Sequence, residues 1–125
     1  MSKVVDFKTK LYEFNKAQMA QIDPVDPIWF NKHCHEVAKE IWERKPHPRY
    51  WMLLCRERTD YTVFVLDKSI KEFGSALIEC LNNRGNILDF SKQPDDNYEI
   101  WIRDIDTEEN FVYYLFDYSN GIVEV

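Results

Sequence analysis

The sequence predicts an α+β domain in which helices pack on one face of a single antiparallel sheet. Three segments place apolar residues at intervals of three and four, as amphipathic helices do, and six shorter segments have the apolar or alternating pattern of strands. Their order, roughly ααββαββββ, groups most strands together, which is typical of the α+β class. The predicted single domain covers residues 1–125, with a helical part at 1–48 and a sheet with one helix at 49–125.

The first two helices are predicted from apolar spacing and from prolines. Over residues 3 to about 20, four apolar residues form one helical stripe: Val4, Phe7, Leu11 and Phe14. The segment "IDPVDP" ends this helix, because a proline moves the preceding residue out of the helical region. Asp26 before Pro27 is typical of an N-cap and a first helical residue, so a second helix is expected over about 27–44.

The third helix has a start and a stop signal. Ser69 is followed three residues later by Glu72, which makes a capping box. Gly85 suits the left-handed position that follows a helix. The apolar face between these two signals consists of Ile70, Phe73, Leu77 and Leu81.

The strands lie on both sides of this third helix. "RYWMLLCRER" and "YTVFVL" come before it, and the short "RTDY" between them allows a hairpin. Acidic turn segments separate the four strands that follow it, which are "NILDF", "YEIWIR", "FVYYLF" and "GIVEV".

Composition bounds the class of protein. A hydrophobic content of 45% excludes a disordered chain, and no run approaches the roughly 18 to 20 apolar residues of a membrane span. The N-terminal segment lacks the apolar core of a secretory signal, and three cysteines without a close pair favour reduced thiols. We therefore expect a cytoplasmic protein with no membrane partner.

Charge is unevenly distributed along the chain. Residues 1–85 contain 14 Lys or Arg and 12 Asp or Glu, whereas residues 86–125 contain 2 and 10, for a total of −6. Such an acidic segment disfavours direct binding of nucleic acid and suits a basic protein surface.

The segment "NKHCHEVAKE" raises the question of a metal site. On a helix, Cys34 would lie in the middle of the buried face, and His33 and His35 would diverge by about 160° to either side of it. Helical chelation instead uses histidines four residues apart. A buried cysteine between two boundary histidines is the favoured interpretation. The alternative is a zinc site built from His33, His35, His47 and a cysteine such as Cys55.

Catalytic patterns are weak in this sequence. Cys55 has arginine neighbours but lies inside an apolar strand, where a free cysteine acts as a small hydrophobic residue. Paired carboxylates fall in predicted turns, where they satisfy local backbone groups. With only three isolated glycines there is no phosphate-binding loop, so we expect no enzyme.

A partner-binding surface is predicted on the acidic third of the chain. Side chains along the last strands alternate between the two faces of the sheet, so one face carries Trp101 and Tyr114. These two would serve as exposed aromatic anchors unless helices cover both faces. The acidic residues of this predicted surface are Asp95, Asp96, Asp104, Asp106, Glu108, Glu109 and Asp117.

The chain from about residue 50 to 125 resembles small phage and prophage proteins of Gram-positive bacteria. The resemblance lies in "LNNRGNILDF", "YEIWIRD", "ENFVYYLFDY" and "GIVEV", which are structural segments and transfer no catalytic residue. It implies a host-takeover or counter-defence factor of the anti-CRISPR kind, acting in the host cell cytoplasm. The expected partner is then a nuclease or another nucleic-acid-binding protein of the host.

Overall fold

The computed structural model describes residues 3–45, 49–67 and 69–119, with side chains from residue 9 onward. Within these ranges the elements are α1 (Lys3–Met19), α2 (Pro27–Trp42), β1 (Tyr50–Cys55), β2 (Tyr61–Val65), α3 (Ile70–Asn82), β3 (Asn86–Lys92), β4 (Tyr98–Arg103) and β5 (Asn110–Asp117). The predicted order is confirmed as far as β5. The predicted last strand, "GIVEV", lies outside the described residues. None of the helices within these ranges is long and apolar enough to cross a membrane.

The strands form one sheet in the order β2-β1-β5-β4-β3, and every neighbouring pair is antiparallel. The predicted α+β class with a single antiparallel sheet is therefore confirmed. The β1–β2 hairpin forms as predicted, and β5 pairs with β1 through Leu53↔Leu115 and its neighbours. This long-range pairing places the C-terminal strand in the middle of the sheet.

One face of the sheet carries α2 and α3 and the main core. In α2 the five buried residues are the predicted ones: Phe30, Cys34, Val37, Ala38 and Ile41. Burial raises the pKa of Cys34 to about 12, so this thiol stays protonated and acts as a core residue. The prediction for the face of α3 is also confirmed, since Phe73, Leu77 and Leu81 are buried in the same core.

The other face of the sheet carries α1, so helices lie on both faces and not on one only. Tyr12 and Met19 of α1 pack on a small second core formed by Leu88, Trp101 and Val112. Of the predicted apolar stripe of α1, Leu11 and Phe14 are exposed, and the side chains of Val4 and Phe7 lie outside the described part of the chain. An aromatic ring with a hydroxyl, at Tyr12, covers the sheet in place of the more apolar Leu11 and Phe14.

The helix ends follow the predicted signals, with one correction. The Asp26 side chain accepts from the Ile28 N–H, and Ser69 with Glu72 forms the predicted capping box. The α3 cap is Asn83, so Gly85 lies one residue beyond the predicted position. Its φ of 148° is positive but extended, not left-handed helical. Glycine is needed at this position because a Cβ would collide with the carbonyl oxygen of Arg103, the last residue of β4.

Candidate functional site

The acidic residues predicted to form one surface lie at opposite ends of β4. Asp95 and Asp96 lie in the β3–β4 turn, and Asp117 is near them because Leu115 pairs with Tyr98. The remaining acids, Asp104, Asp106, Glu108 and Glu109, lie in the β4–β5 turn. A strand of six residues is about 20 Å long, so the two groups cannot act as one contiguous patch.

Asp104 organises its own turn. Its Oδ1 accepts from the N–H groups of Asp106 at 2.9 Å and Thr107 at 3.0 Å, and its Oδ2 lies 3.5 Å from Arg58. The backbone hydrogen bond from Thr107, followed by that from Asp106, lowers the pKa of Asp104. This carboxylate is therefore engaged within the protein, whereas its predicted role in partner binding stays a prediction.

Trp101 is not an exposed anchor. It is 2% exposed beneath α1, where its indole stacks on Tyr12 with ring centroids 6.2 Å apart. Its Nε1 donates to Glu99 Oε1 at 2.8 Å. The prediction failed because strand alternation identifies the face of Trp101 but not the helix that covers that face.

The other predicted anchor, Tyr114, does contribute to a pocket. This pocket of about 550 Å³ lies on the second face of the sheet, beside the β3–β4 turn. Glu99 and Tyr114 are directly paired across β4 and β5, and Phe116 follows on the same face. We call this pocket the acidic groove; its lining residues are Gln93, Pro94, Asp95, Asn97, Tyr98, Glu99, Tyr114 and Phe116.

The acidic groove suits a positively charged ligand. Two of its lining residues, Asp95 and Glu99, are carboxylates, and none of the lining residues in the described part of the chain is Lys or Arg. Glu99 and Tyr114 are directly opposed, and such residues have Cβ atoms about 4.5–5.5 Å apart. The Tyr114 hydroxyl accepts from Arg56 Nη1 at 3.1 Å, so one basic side chain lies at the edge of this ring. A cation over such a ring gains a cation–π interaction in addition to its attraction to the carboxylates.

Each carboxylate in the groove also has a local role. Asp95 Oδ1 accepts from the Asn97 N–H at 3.0 Å, and Glu99 Oε1 accepts from Trp101. Asp96, next in the turn, lies 3.7 Å from the Lys92 ammonium and does not line the groove. An amide in place of Asp95 or Glu99 would keep these acceptors while removing the charge.

The alternative zinc site is not assembled by the residues that the structure describes. His33 stacks on Trp29 at 4.7 Å and meets Phe90 edge to face at 4.8 Å. His35 lies against α3 instead, where a Cβ on Gly74 would be 2.3 Å from its Nδ1. His47 is outside the described residues, and no group of three or more potential ligands occurs in the described part of the chain.

Cys55, the remaining residue of that alternative, is buried at the end of β1. Its Sγ faces Glu57 Oε1 at 3.9 Å. Glu57 also accepts from the Val112 N–H at 3.2 Å and from the Tyr12 hydroxyl. Cys55 therefore borders a polar link between the β1–β2 turn, α1 and β5.

A second pocket, of about 410 Å³, lies where the β1–β2 turn meets the end of α3. Arg84 donates through Nε and Nη2 to both oxygens of Asp60, at 2.9 and 2.8 Å. Asp60 also accepts from the Tyr113 hydroxyl at 2.7 Å, and that hydroxyl accepts from Arg58 at 2.8 Å. Two arginines are thus balanced by Asp60 and Asp104 in a network that ties α3 to the sheet.

This network predicts a specific loss of stability in acid. Burial opposes ionisation of Asp60, but hydrogen bonds from Arg84 and Tyr113 outweigh it and lower the pKa of that carboxyl. A depressed pKa contributes stability above the unfolded value of about 3.9, and this contribution is lost as the pH falls through the folded value. We expect the free energy of unfolding to fall between about pH 5 and pH 2.

Asp60→Asn should be about 1–3 kcal/mol less stable than wild type at pH 7 and should lose less stability in acid. Urea unfolding at a series of pH values measures both effects. Asp106→Asn, at an exposed position, is the matched control and should stay within about 0.5 kcal/mol of wild type. An unchanged acid loss in Asp60→Asn would assign the pH dependence to another group.

Glu99, Phe116 and Asp60 are among the residues of these pockets that were not predicted from the sequence as site residues. Glu99 and Phe116 could have been found from strand alternation. Both lie on the face that carries Tyr114, and the residues next to them in sequence are mostly buried. Asp60 could not, since its partner Arg84 is 24 residues away.

Comparison with known proteins adds no assignment. No protein family, no curated protein and no solved structure matches this chain.

Proposed function

We propose that this protein is a non-enzymatic binding module that receives a basic segment of a partner protein in the acidic groove. The observation that carries the proposal is one pocket whose described lining residues combine two aromatic rings, Tyr114 and Phe116, with two carboxylates and no lysine or arginine. Arginine and lysine have an apolar stem and a cationic end, so both parts of such a side chain find a complementary surface.

The size and charge of the site support this proposal. A volume of about 550 Å³ lies within the roughly 300–1,000 Å³ usual for ligand pockets, so the groove can take one or two side chains. The net charge of −6 favours approach of a basic surface and disfavours direct contact with nucleic acid. The groove then provides short-range selection of the partner.

Within this proposal, the partner class is a nucleic-acid-binding protein of the host, such as a nuclease. Proteins of this class expose arginines and lysines for phosphate contacts. The resemblance to phage and prophage proteins favours inhibition of such a protein in the host cytoplasm, as anti-CRISPR proteins do. Occupation of its basic surface would block access of the nucleic acid.

A peptide of about nine arginines tests the cation preference of the groove. Asp95→Asn with Glu99→Gln keeps the acceptors described above and removes two charges. Exposed charge pairs contribute about 0.2–1 kcal/mol each, so the double variant should bind about two- to thirtyfold more weakly. Fluorescence anisotropy with labelled peptide gives the dissociation constants. Wild-type affinity should also fall between about 0.05 and 0.5 M salt.

Asp106→Asn with Glu109→Gln is the matched control, because it removes two exposed charges in the β4–β5 turn. This control should bind the peptide as wild type does. Equal weakening of both double variants would show that only overall charge matters. Absence of binding by the wild type at low salt would reject the proposed function.

The same three proteins, used as baits in a host lysate, address the partner class. A nucleic-acid-binding protein retained by the wild type and by the control, but not by the groove variant, is the expected result. Partners without basic surfaces, or partners retained equally by all three baits, would contradict the proposal.

A further inference from the structure

The β2 strand is an open edge of the sheet. Among the residues that the structure describes, it pairs only with β1, and the bonds Cys55 N–H to Asp60 O and Leu66 N–H to Arg49 O fix which residues face β1. Because bonded pairs alternate in an antiparallel ladder, the N–H and C=O groups of Tyr61, Val63 and Val65 point away from β1. Three residues of this edge therefore offer backbone donors and acceptors to another chain.

The same three side chains are exposed on the second face of the sheet. Tyr61, Val63 and Val65 are 60%, 38% and 51% exposed, although strands of this composition usually pack against something. The β2 segment, Tyr-Thr-Val-Phe-Val, contains no charged residue and no proline. It thus lacks the devices by which proteins prevent strands from pairing at an edge.

The opposite edge, β3, has several of these devices. Its register shifts between Ile87 and Asp89, and it contains the charged residues Asp89 and Lys92. Val25 donates its N–H to the Ile87 carbonyl at 2.8 Å, so the segment before α2 occupies part of this edge. Only one of the two sheet edges is left ready for pairing.

A groove runs beside the open edge. It has a volume of about 320 Å³ and lies between β2 and the N-terminal half of α3. The polar residues among its described lining residues are two acids, Asp67 and Glu72; Lys68 lies outside the described residues. The described lining residues are Val63, Phe64, Val65, Asp67, Glu72, Phe73 and Ala76. A strand added to β2 would direct alternate side chains into this groove and the others over Tyr61, Val63 and Val65.

We infer that β2 and the adjacent groove bind an extended, basic peptide segment of a partner protein by strand addition. Backbone hydrogen bonds to Tyr61, Val63 and Val65 hold the segment, and alternate lysines or arginines enter the groove towards Asp67 and Glu72. This site is separate from the acidic groove, with which it shares no lining residue. It explains how a partner could be held along its backbone as well as by its charged side chains.

A second copy of the chain fits this edge less well. Pairing two β2 strands would involve five residues from each copy, far fewer than the roughly 20–30 residues per side of a standard interface. Two copies also carry −6 each and would bring Asp67 and Glu72 of both into one region. Charge complementarity therefore selects a basic segment and not the protein itself.

Alternating lysine–valine peptides of about eight residues, long enough to span β2, provide the test. We expect the wild-type protein to bind the plain peptide at least about tenfold more tightly than the same peptide N-methylated at the alternate residues that donate to β2. N-methylation keeps the charge and removes the backbone donors. Equal affinity for the two peptides would overturn strand addition. A glutamate–valine peptide should not bind, and its binding would overturn the basic preference.

Variants of the protein complete the test. Val63→Pro removes an outward N–H without removing a bond to β1, and Asp67→Asn lowers the charge of the groove. The first should weaken binding about tenfold, and the second by up to about fivefold. Should Val63→Pro fail to fold by circular dichroism, the N-methylated peptide and Asp67→Asn still decide the question.

Asp95→Asn with Glu99→Gln should keep the wild-type preference for the plain over the N-methylated lysine–valine peptide, because the acidic groove binds side chains and not backbone donors. If this variant binds the two peptides equally, the preference arises in the acidic groove and the β2 site is wrong, while the proposed function stands. If sedimentation shows that the wild type is a dimer that Val63→Pro dissociates, the occupant of the edge is a second copy and the inference fails.

Discussion

Leu77→Ala is expected to lower the free energy of unfolding by about 2–5 kcal/mol. Leu77 is 0% exposed, and it lies in the main core where α3 packs on the sheet. Replacing its isobutyl side chain by a methyl group loses the burial of about three carbon atoms and leaves a cavity that the rigid sheet cannot close. Urea unfolding monitored by tryptophan fluorescence measures the change.

Leu11→Ala is the matched control, since it makes the same substitution in another helix. Leu11 is 47% exposed, so we expect its loss to cost less than about 1 kcal/mol. Comparable losses at Leu11 and Leu77 would mean that the apolar stripe of α1 is buried after all and that the packing of α1 differs from the one described.

Gly85→Ala is expected to destabilise the protein by about 2–4 kcal/mol. The φ of 148° is unfavourable for any residue with a Cβ. An added Cβ would lie 2.1 Å from the carbonyl oxygen of Arg103, which is backbone and cannot rotate away. Strain and overpacking each contribute about 1–3 kcal/mol in comparable cases, and one shift of the backbone relieves part of both.

The effect of this substitution should extend to α1. Arg103 donates to the carbonyl oxygens of Met19 at 3.0 Å and Ile22 at 2.9 Å, so displacing the end of β4 disturbs the segment after α1. Amide hydrogen exchange in α1 should become faster in Gly85→Ala. Asn83→Ala, an exposed change two residues earlier, should stay within about 1 kcal/mol and leave that exchange unchanged. A stable Gly85→Ala protein would show that the α3–β3 connection can move aside.

The two binding surfaces lie on different parts of one rigid sheet. The acidic groove uses the β4 and β5 side of the second face, and the strand-addition site uses the β2 edge. Both are proposed to select basic partners, one by side chains and the other by an extended backbone. A partner that engages both would bind more tightly than through either alone, provided that its segments span the sheet.

Local rules were sufficient to predict most helices and strands. The capping box at Ser69 and Glu72, and Asp26 before Pro27, identify helix starts because each signal depends on atoms within a few residues. The buried face of α2 around Cys34 follows from the helical period alone. The same period correctly separated His33 from His35, which contact different elements.

Packing between distant segments could not be predicted from these local signals. The stripe through Leu11 and Phe14 predicted a buried face of α1, yet Tyr12 packs on the sheet and covers Trp101. A pattern shows that a face is apolar, but not which surface is left uncovered after α2 and α3 have packed. That outcome depends on competition among all the elements for the two faces of one sheet.

The predicted acidic surface shows the same division. Sequence counting found the charges correctly, because a net balance depends only on composition. Strand pairing then separated them, since β4 places its two turns at opposite ends and Asp104 is bonded within its own turn. The acidic groove exists because β5 pairs with β4 and brings Tyr114 opposite Glu99, 15 residues away in the chain. Composition and local spacing thus specify the helices, the strands and the charges. Pairing between distant segments specifies which side chains come into contact, because those contacts form only when the whole sheet is assembled.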